Sequence, residues 1–207
     1  MELYRQEGLS PHQEEPYQPS SLPSLSRDDN PIVFLDLAEE GAALSLGRLL
    51  IELRRDVCPV ASENFLSLVE GKLGLVDGVP FRYRGTRIHR IVRDGLLQGG
   101  DLLDAQGECS RSVFNRGGLF RDENFILRHV GAGVLSCLNR GPDSNGSLFQ
   151  ITLAAAPLLD GKHVVFGYVV DEPSMLTLTR LNRYGTPSGE PTKVIRIVDC
   201  GVVFPAT

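Results

Sequence analysis

Three stretches of this 207-residue chain gather the residue types that do chemistry. The first is His89-Arg90-Ile91-Val92-Arg93-Asp94-Gly95-Leu96-Leu97-Gln98-Gly99-Gly100-Asp101. The second is Asp122-Glu123-Asn124-Phe125, followed by Gly133-Val134-Leu135-Ser136 and Asn139. The third runs from Ser144-Asn145-Gly146-Ser147 to Leu158-Leu159-Asp160-Gly161-Lys162-His163-Val164-Val165-Phe166-Gly167. Arg90 stands out, because a guanidinium that is always charged and directional sits in a predicted strand among apolar neighbours. A plain salt bridge is one reading of it. A bridge between strands is one reading of Gln98. A barrel residue satisfied by backbone is one reading of His163. Asp160-Gly161-Lys162 reads as a tight turn and nothing more.

Other chemistries find little support. No G-x-S-x-G elbow and no H-E-x-x-H occurs, which argues against those hydrolases. Gly131-Ala132-Gly133 lacks the third glycine of a nucleotide loop and reads as a turn into a strand. The four cysteines, Cys58, Cys109, Cys137 and Cys200, and the four histidines offer no ligand pair with zinc spacing, so no metal is expected. Without a secretory signal, reduced thiols in an intracellular, cytoplasmic protein are the expectation.

These stretches need short strands to hold them. Ile32 to Leu37 and Leu46 to Leu53 read as strands, joined by a turn over Ala43-Leu44-Ser45-Leu46-Gly47-Arg48. Ala61, Phe65, Leu68 and Val69 then fall at helical spacing, with Pro59 at the start and Gly71 at the end. A Gly-rich loop spans Gly71 to Gly85. Further strands are predicted at Arg87–Val92, Leu96–Gly99, Gly133–Ser136, Leu148–Thr152, His163–Val170 and Lys193–Cys200, with a second helix from Pro173 to Tyr184. About eight short strands and two helices predict a mainly β fold, a closed antiparallel barrel, rather than a parallel α/β sheet.

Residues 1–30 differ in texture. They hold Pro11, Pro16, Pro19 and Pro23 with a serine-rich stretch, and six acids against Arg5 and Arg27. Such a segment buries too little apolar surface to offset chain entropy, so a disordered or extended tail is expected. It would be a passive leader or a docking segment with Tyr4, Leu9, Tyr17, Leu22 and Leu25 as anchors. Residues 31–207 then form the domain. Net charge is −5, most of it in the tail, so no nucleic-acid partner is expected. No apolar run reaches 18 residues, so no membrane span is expected.

Taken in order, HRIV-x-x-G-x-x-QGGD, DENF, GVLS, SNGSLF and LDGKHVVFG resemble the cyclophilins, over about Pro31 to Val202. The Gly71–Gly85 loop is similar to that of the divergent-loop members, and extra residues near Gly117-Gly118 depart from the family. The resemblance implies an eight-stranded barrel capped by two α-helices, with a surface groove for Xaa-Pro segments of peptides or of a protein partner. It implies peptidyl-prolyl isomerisation without a cofactor. Arg90 matches the family's catalytic arginine, Gln98 the glutamine beside it, and His163 the histidine at the groove rim. Asn139 matches the asparagine whose backbone holds the substrate.

The same resemblance marks losses in the substrate-binding surface. Gly95 and Leu96 stand where the family has Phe and Met. Gln150 replaces a second Phe, Leu148 a glutamine, and Leu158 the rim tryptophan. Leu138 and Arg140 replace the two alanines beside the asparagine. A weakened proline pocket is therefore expected. The alternative is a non-catalytic binding or structural subunit of a large assembly, such as the ciliary axoneme, entered through the N-terminal tail. The HRIV-x-x-G-x-x-QGGD stretch is similar to divergent cyclophilins of cilia and radial spokes.

Overall fold

The computed structural model describes residues 29–204, except 43, 44 and 105. Most of the expected tail, and Ala43 and Leu44 of the expected turn, lie outside the described residues. Asn30 is the last residue of the expected tail. It is buried and donates to Glu52 Oε1 at 2.7 Å and Asp56 Oδ1 at 3.0 Å.

The elements follow in order as β1 (Ile32–Glu39), β2 (Ser45–Leu53), α1 (Pro59–Glu70), β3 (Leu75–Val76), β4 (Val79–Pro80), β5 (Arg87–Val92), β6 (Leu96–Gly99), β7 (Val134–Cys137), β8 (Phe149–Thr152), β9 (Val165–Val169), α2 (Glu172–Asn182) and β10 (Ile195–Phe204). Eight strands close a barrel in the order β1-β10-β5-β6-β8-β7-β9-β2, with every pair antiparallel. The expected mainly β barrel with two helices is thus present. Closure removes the free edges that an open antiparallel sheet would expose.

Alternation along the strands builds the core. Val33, Leu35 and Leu37 are at most 1% exposed, while Ile32, Phe34 and Asp36 between them are only half-buried. Across four strands, Ile91, Leu97, Ile151 and Leu135 face one another and are fully buried. In α1, Pro59 takes the first turn, and Gly71 ends the helix at φ 66° with its N–H on the Ser67 carbonyl. Phe65 of α1 packs on Tyr83, Phe149 and Phe166, with ring centroids 4.9, 5.4 and 5.5 Å away. Burying such rings contributes about 1.5–3 kcal/mol each. The second helix begins one residue before the expected Pro173 and ends two before Tyr184, capped by Asp171, whose carboxylate accepts from the Ser174 N–H at 3.0 Å.

Two further differences have clear causes. The Gly71–Gly85 loop contains the small hairpin β3–β4. Its turn is Asp77-Gly78, both residues at positive φ, the combination that a two-residue hairpin turn requires. The last strand extends to Phe204, because the β10 partner β1 continues to pair with it as far as Ile32.

Candidate functional site

Displacing the register by one residue from the buried row turns the chain outward. Arg90, Gln98, Gln150 and Ser136 then stand opposite one another across β5, β6, β8 and β7. A β-bulge at His89 makes this possible for β5. Ile88 and Ile91 both face the core although three residues apart, and the extra residue absorbs the mismatch. The bulge leaves Arg90 exposed.

Arg90 lies over Gly189. A Cβ at Gly189 would sit 2.6 Å from Arg90 Nε, and the glycine adopts φ 91°, so both space and backbone call for glycine there. The Gly189 loop is fastened to β5 by the Ile91 N–H on the Gly189 carbonyl at 2.8 Å and by reciprocal bonds between Thr186 and the β5 end. It forms one wall, Ser188 to Pro191, of a cleft of about 580 Å³. Arg90, Gln98 and Leu138 also line this cleft.

A second wall, Asp104, Gln106 and Gly107, is organised by Asp101. The buried Asp101 carboxylate accepts the N–H groups of Leu103, Gly107, Glu108 and Cys109 at 2.9, 2.7, 2.9 and 3.2 Å. Gly100 allows the chain to reach this point. A side chain there would meet the Ser147 carbonyl at 2.2 Å. Neither wall was identified from the sequence; the Pro187-Ser188-Gly189 turn and the Asp101 at the end of the Gly-Gly pair are the local signals that mark them.

The structure brings together only part of the expected site. Arg90 and Gln98 share the cleft, whereas Leu96, Asn139, Leu148, Gln150, Leu158 and His163 are not among its lining residues. Gln98 donates to Gln150 Oε1 at 3.4 Å. Gln150 is 1% exposed, and its Nε2 has no hydrogen-bond partner. Leu148, expected from the resemblance to bind substrate, is 3% exposed. Its segment is drawn inward because neighbouring Phe149 joins the aromatic core. Leu96 is half-buried opposite Thr152, and Leu158 is 83% exposed on a 3₁₀ turn, Pro157–Leu159.

The remaining polar groups lie beyond Gln150. Asn139 donates to the Lys162 carbonyl at 2.9 Å, tying two segments together. His163 Nδ1 lies 3.1 Å from the Cys137 carbonyl. A carbonyl only accepts, so Nδ1 carries the proton and Nε2 is left as an acceptor. Burial holds the His163 pKa below its ordinary value, against the opposing pull of that carbonyl, so the ring is neutral at pH 7. Burial likewise lowers that of His89.

Asp160 does more than the tight turn expected of it. Its Oδ1 accepts from the His129 backbone N–H and ring Nδ1, both at 2.9 Å, while His129 Nε2 lies 2.9 Å from Ser136 Oγ. The His129 backbone bond, followed by the ring bond, lowers the Asp160 pKa. Serine, histidine and aspartate thus meet in the sequence of contacts used by serine hydrolases. Ser136 and His129 are 0% and 1% exposed, so no substrate carbonyl reaches the hydroxyl; the trio holds the β7 end in place.

Comparisons with known proteins agree with this architecture. The model of the cyclophilin type peptidyl-prolyl cis-trans isomerase/CLD family matches residues 35–202. Peptidyl-prolyl cis-trans isomerase 11 of Caenorhabditis elegans is 43% identical over 178 residues, covering 86% of this chain and 93% of that protein. E3 SUMO-protein ligase RanBP2 of Pan troglodytes is 39% identical over 179 residues, covering 86% of this chain but only 5% of that much longer protein. With the closed barrel, the two helices and an arginine–glutamine pair on the outer face of β5 and β6, this chain belongs to the cyclophilin family.

Proposed function

We propose that this protein is a peptidyl-prolyl cis-trans isomerase with a weakened hold on the proline ring. One observation carries the reading. Arg90 is exposed on the cleft beside Gln98, with no carboxylate partner among the described residues. The amide barrier of about 18–20 kcal/mol comes from nitrogen lone-pair delocalisation. As the Xaa-Pro bond twists, the lone pair returns to the proline nitrogen, which becomes a hydrogen-bond acceptor only in that state. An Arg90 donor aimed there stabilises the transition state more than the ground state, which is what raises the rate. No cofactor and no covalent step enter this reading.

The weakened hold follows from the apolar side. Gly95 offers no side chain, and Gln150 and Leu148 are buried beneath the surface. Each missing aromatic contact forfeits about 1.5–3 kcal/mol, or one to two orders of magnitude in affinity.

Catalysis is tested by following isomerisation of an Ala-Pro peptide with the wild type, Arg90→Ala, and the pair Gly95→Phe with Gln150→Phe. Slow turnover is expected from the wild type. Arg90→Ala should lose about 10²–10³ of it, the usual cost of one oriented donor. The paired variant should gain activity; a Cβ at residue 95 meets Val92 Cγ1 at 3.2 Å, a contact that needs only a small shift. Wild-type turnover unchanged in Arg90→Ala would sink the catalytic reading.

A second reading is a binding or structural subunit of a large assembly such as the ciliary axoneme, reached through residues 1–30. It is favoured by the burial of Gln150 and Leu148, which leaves those two positions with no surface to offer a proline ring. That a related domain forms 5% of a far longer protein is compatible with it. Absence of turnover in the wild type, with turnover restored in the paired variant, would select it.

A further inference from the structure

We propose that the cleft selects Xaa-Pro segments carrying a carboxylate beside the proline, and that Arg140 is the residue that reads it. The inference rests on the reading of the cleft as an Xaa-Pro site and adds the class of segment it takes.

Arg140 is not itself among the lining residues of the cleft but reaches its edge. It follows Leu138 by two residues, and its Nη2 donates to the Gly107 carbonyl at 3.0 Å; Leu138 and Gly107 both line the cleft. Its base is held by its own N–H on Ser144 Oγ at 3.1 Å, with Ser144 Oγ donating to the Gly141 carbonyl at 2.6 Å. The Gly107 end is held by Asp101, which accepts the Gly107 N–H. A guanidinium has five N–H donors, and the Gly107 carbonyl takes one of them. The exposed remainder of the fork suits a carboxylate, which it can bind through two parallel bonds.

The charges around the cleft point the same way. Arg87 is paired with Asp104 at 2.8 Å, and Arg196 with Glu40 at 2.7 Å and Asp104 at 3.3 Å. Lys193 is paired with Glu39 at 2.9 Å. These groups neutralise one another. Arg90 and Arg140 have no carboxylate partner among the described residues. Against them stands Glu190, on the Ser188–Pro191 wall. It repels a carboxylate from that wall and so favours placing an acidic side chain at the Arg140 rim. With Arg90 committed to the amide, Arg140 is the cation left for recognition.

The test uses the full chain and labelled peptides built on its own residues 10–20, Ser-Pro-His-Gln-Glu-Glu-Pro-Tyr-Gln-Pro-Ser, which carry the acid–proline pattern at Glu14-Glu15-Pro16. Versions with both glutamates changed to alanine or to lysine complete the set, and binding is read by fluorescence anisotropy. The acidic peptide should bind about two- to fivefold more tightly than the alanine version, the range of an exposed ion pair, and the lysine version more weakly than either. The difference should vanish at about 1 M salt, where the Debye length is about 3 Å. Arg140→Gln should remove the preference for the acidic peptide over the alanine one; Arg140→Glu should invert it. Equal affinities for the three peptides, or a preference that survives Arg140→Gln, overturns the inference while leaving the Xaa-Pro site standing. If none of the three binds, the Xaa-Pro reading falls with it.

Discussion

The residue that departs most from ordinary packing is Gln150. It sits in a cross-strand row between Gln98 and Ser136, 1% exposed, with a side-chain nitrogen that has no partner. An unsatisfied buried donor costs about 1–3 kcal/mol, while its one bond, to Gln98 at 3.4 Å, is too long to return much. Gln150→Leu keeps nearly the same volume and removes the orphaned group. We expect it to stabilise the protein by about 1 kcal/mol, seen as a higher urea midpoint at unchanged slope. A loss of stability instead would mean that the amide makes a bond worth more than its burial costs. The contrast with Arg90 is instructive. Both stand in the same outward row, but the bulge at His89 turns Arg90 out to solvent, whereas Gln150 has no such relief.

At the scale of elements, the cleft is made by loops that the β5–β6 hairpin gathers. Asp101 ends the hairpin and holds four backbone N–H groups, three of them on Oδ2. Asp101→Asn must point an NH₂ at N–H donors on one side or the other. Hydrogen bonds to a charged acceptor are worth about 1.5–3 kcal/mol each, so a loss of at least about 3 kcal/mol is expected. Amide exchange at Gly107, Glu108 and Cys109 should rise most; protection unchanged at those amides would refute the assigned role of Asp101. The strands of this region were legible in the sequence. β5 and β6 begin and end where their apolar residues and the flanking turn residues put them, whereas the outward turn of Arg90 depends on the bulge at His89, which no alternation encodes. The walls were not legible, because Gly189 reaches Arg90 across about a hundred residues of chain, a proximity that barrel closure creates and no local pattern encodes. Asp160 was read as a turn for the same reason, since its partner His129 lies 31 residues away. The Asp77-Gly78 hairpin is different: its signal was present locally within the Gly-rich loop and was passed over.

At the scale of the whole molecule, the buried titratable groups bound the range of pH in which the barrel is most stable. Burial lowers the pKa of His89 and His163 below 6.5. As pH falls, the unfolded chain therefore takes up protons at these rings before the folded one does. Their contribution is complete above about pH 6.5 and declines below it, at most by about 1.4 kcal/mol per pH unit for each ring. Asp56, lowered chiefly by its bond from Arg54, and Asp160 add a second loss as pH falls below their unfolded values near 3.8. The alkaline side has the opposite sign. Burial pushes the Cys58 thiol from 9.0 to about 12 and that of Cys200 to about 11, so above about pH 9 the unfolded chain releases protons first and stability falls again. A plateau between about pH 7 and 8.5 follows, to be measured as the urea midpoint across pH. The acid limb between about pH 5 and 6.5 should flatten in the double variant His89→Gln with His163→Gln, because Asp56 and Asp160, whose pKa the fold also lowers, titrate below that window. A wild-type midpoint as high at pH 5.5 as at pH 7.5 would show that these two rings are not held neutral by the fold, and with that the assignment of His163 Nε2 as a bare acceptor beside the groove would be lost.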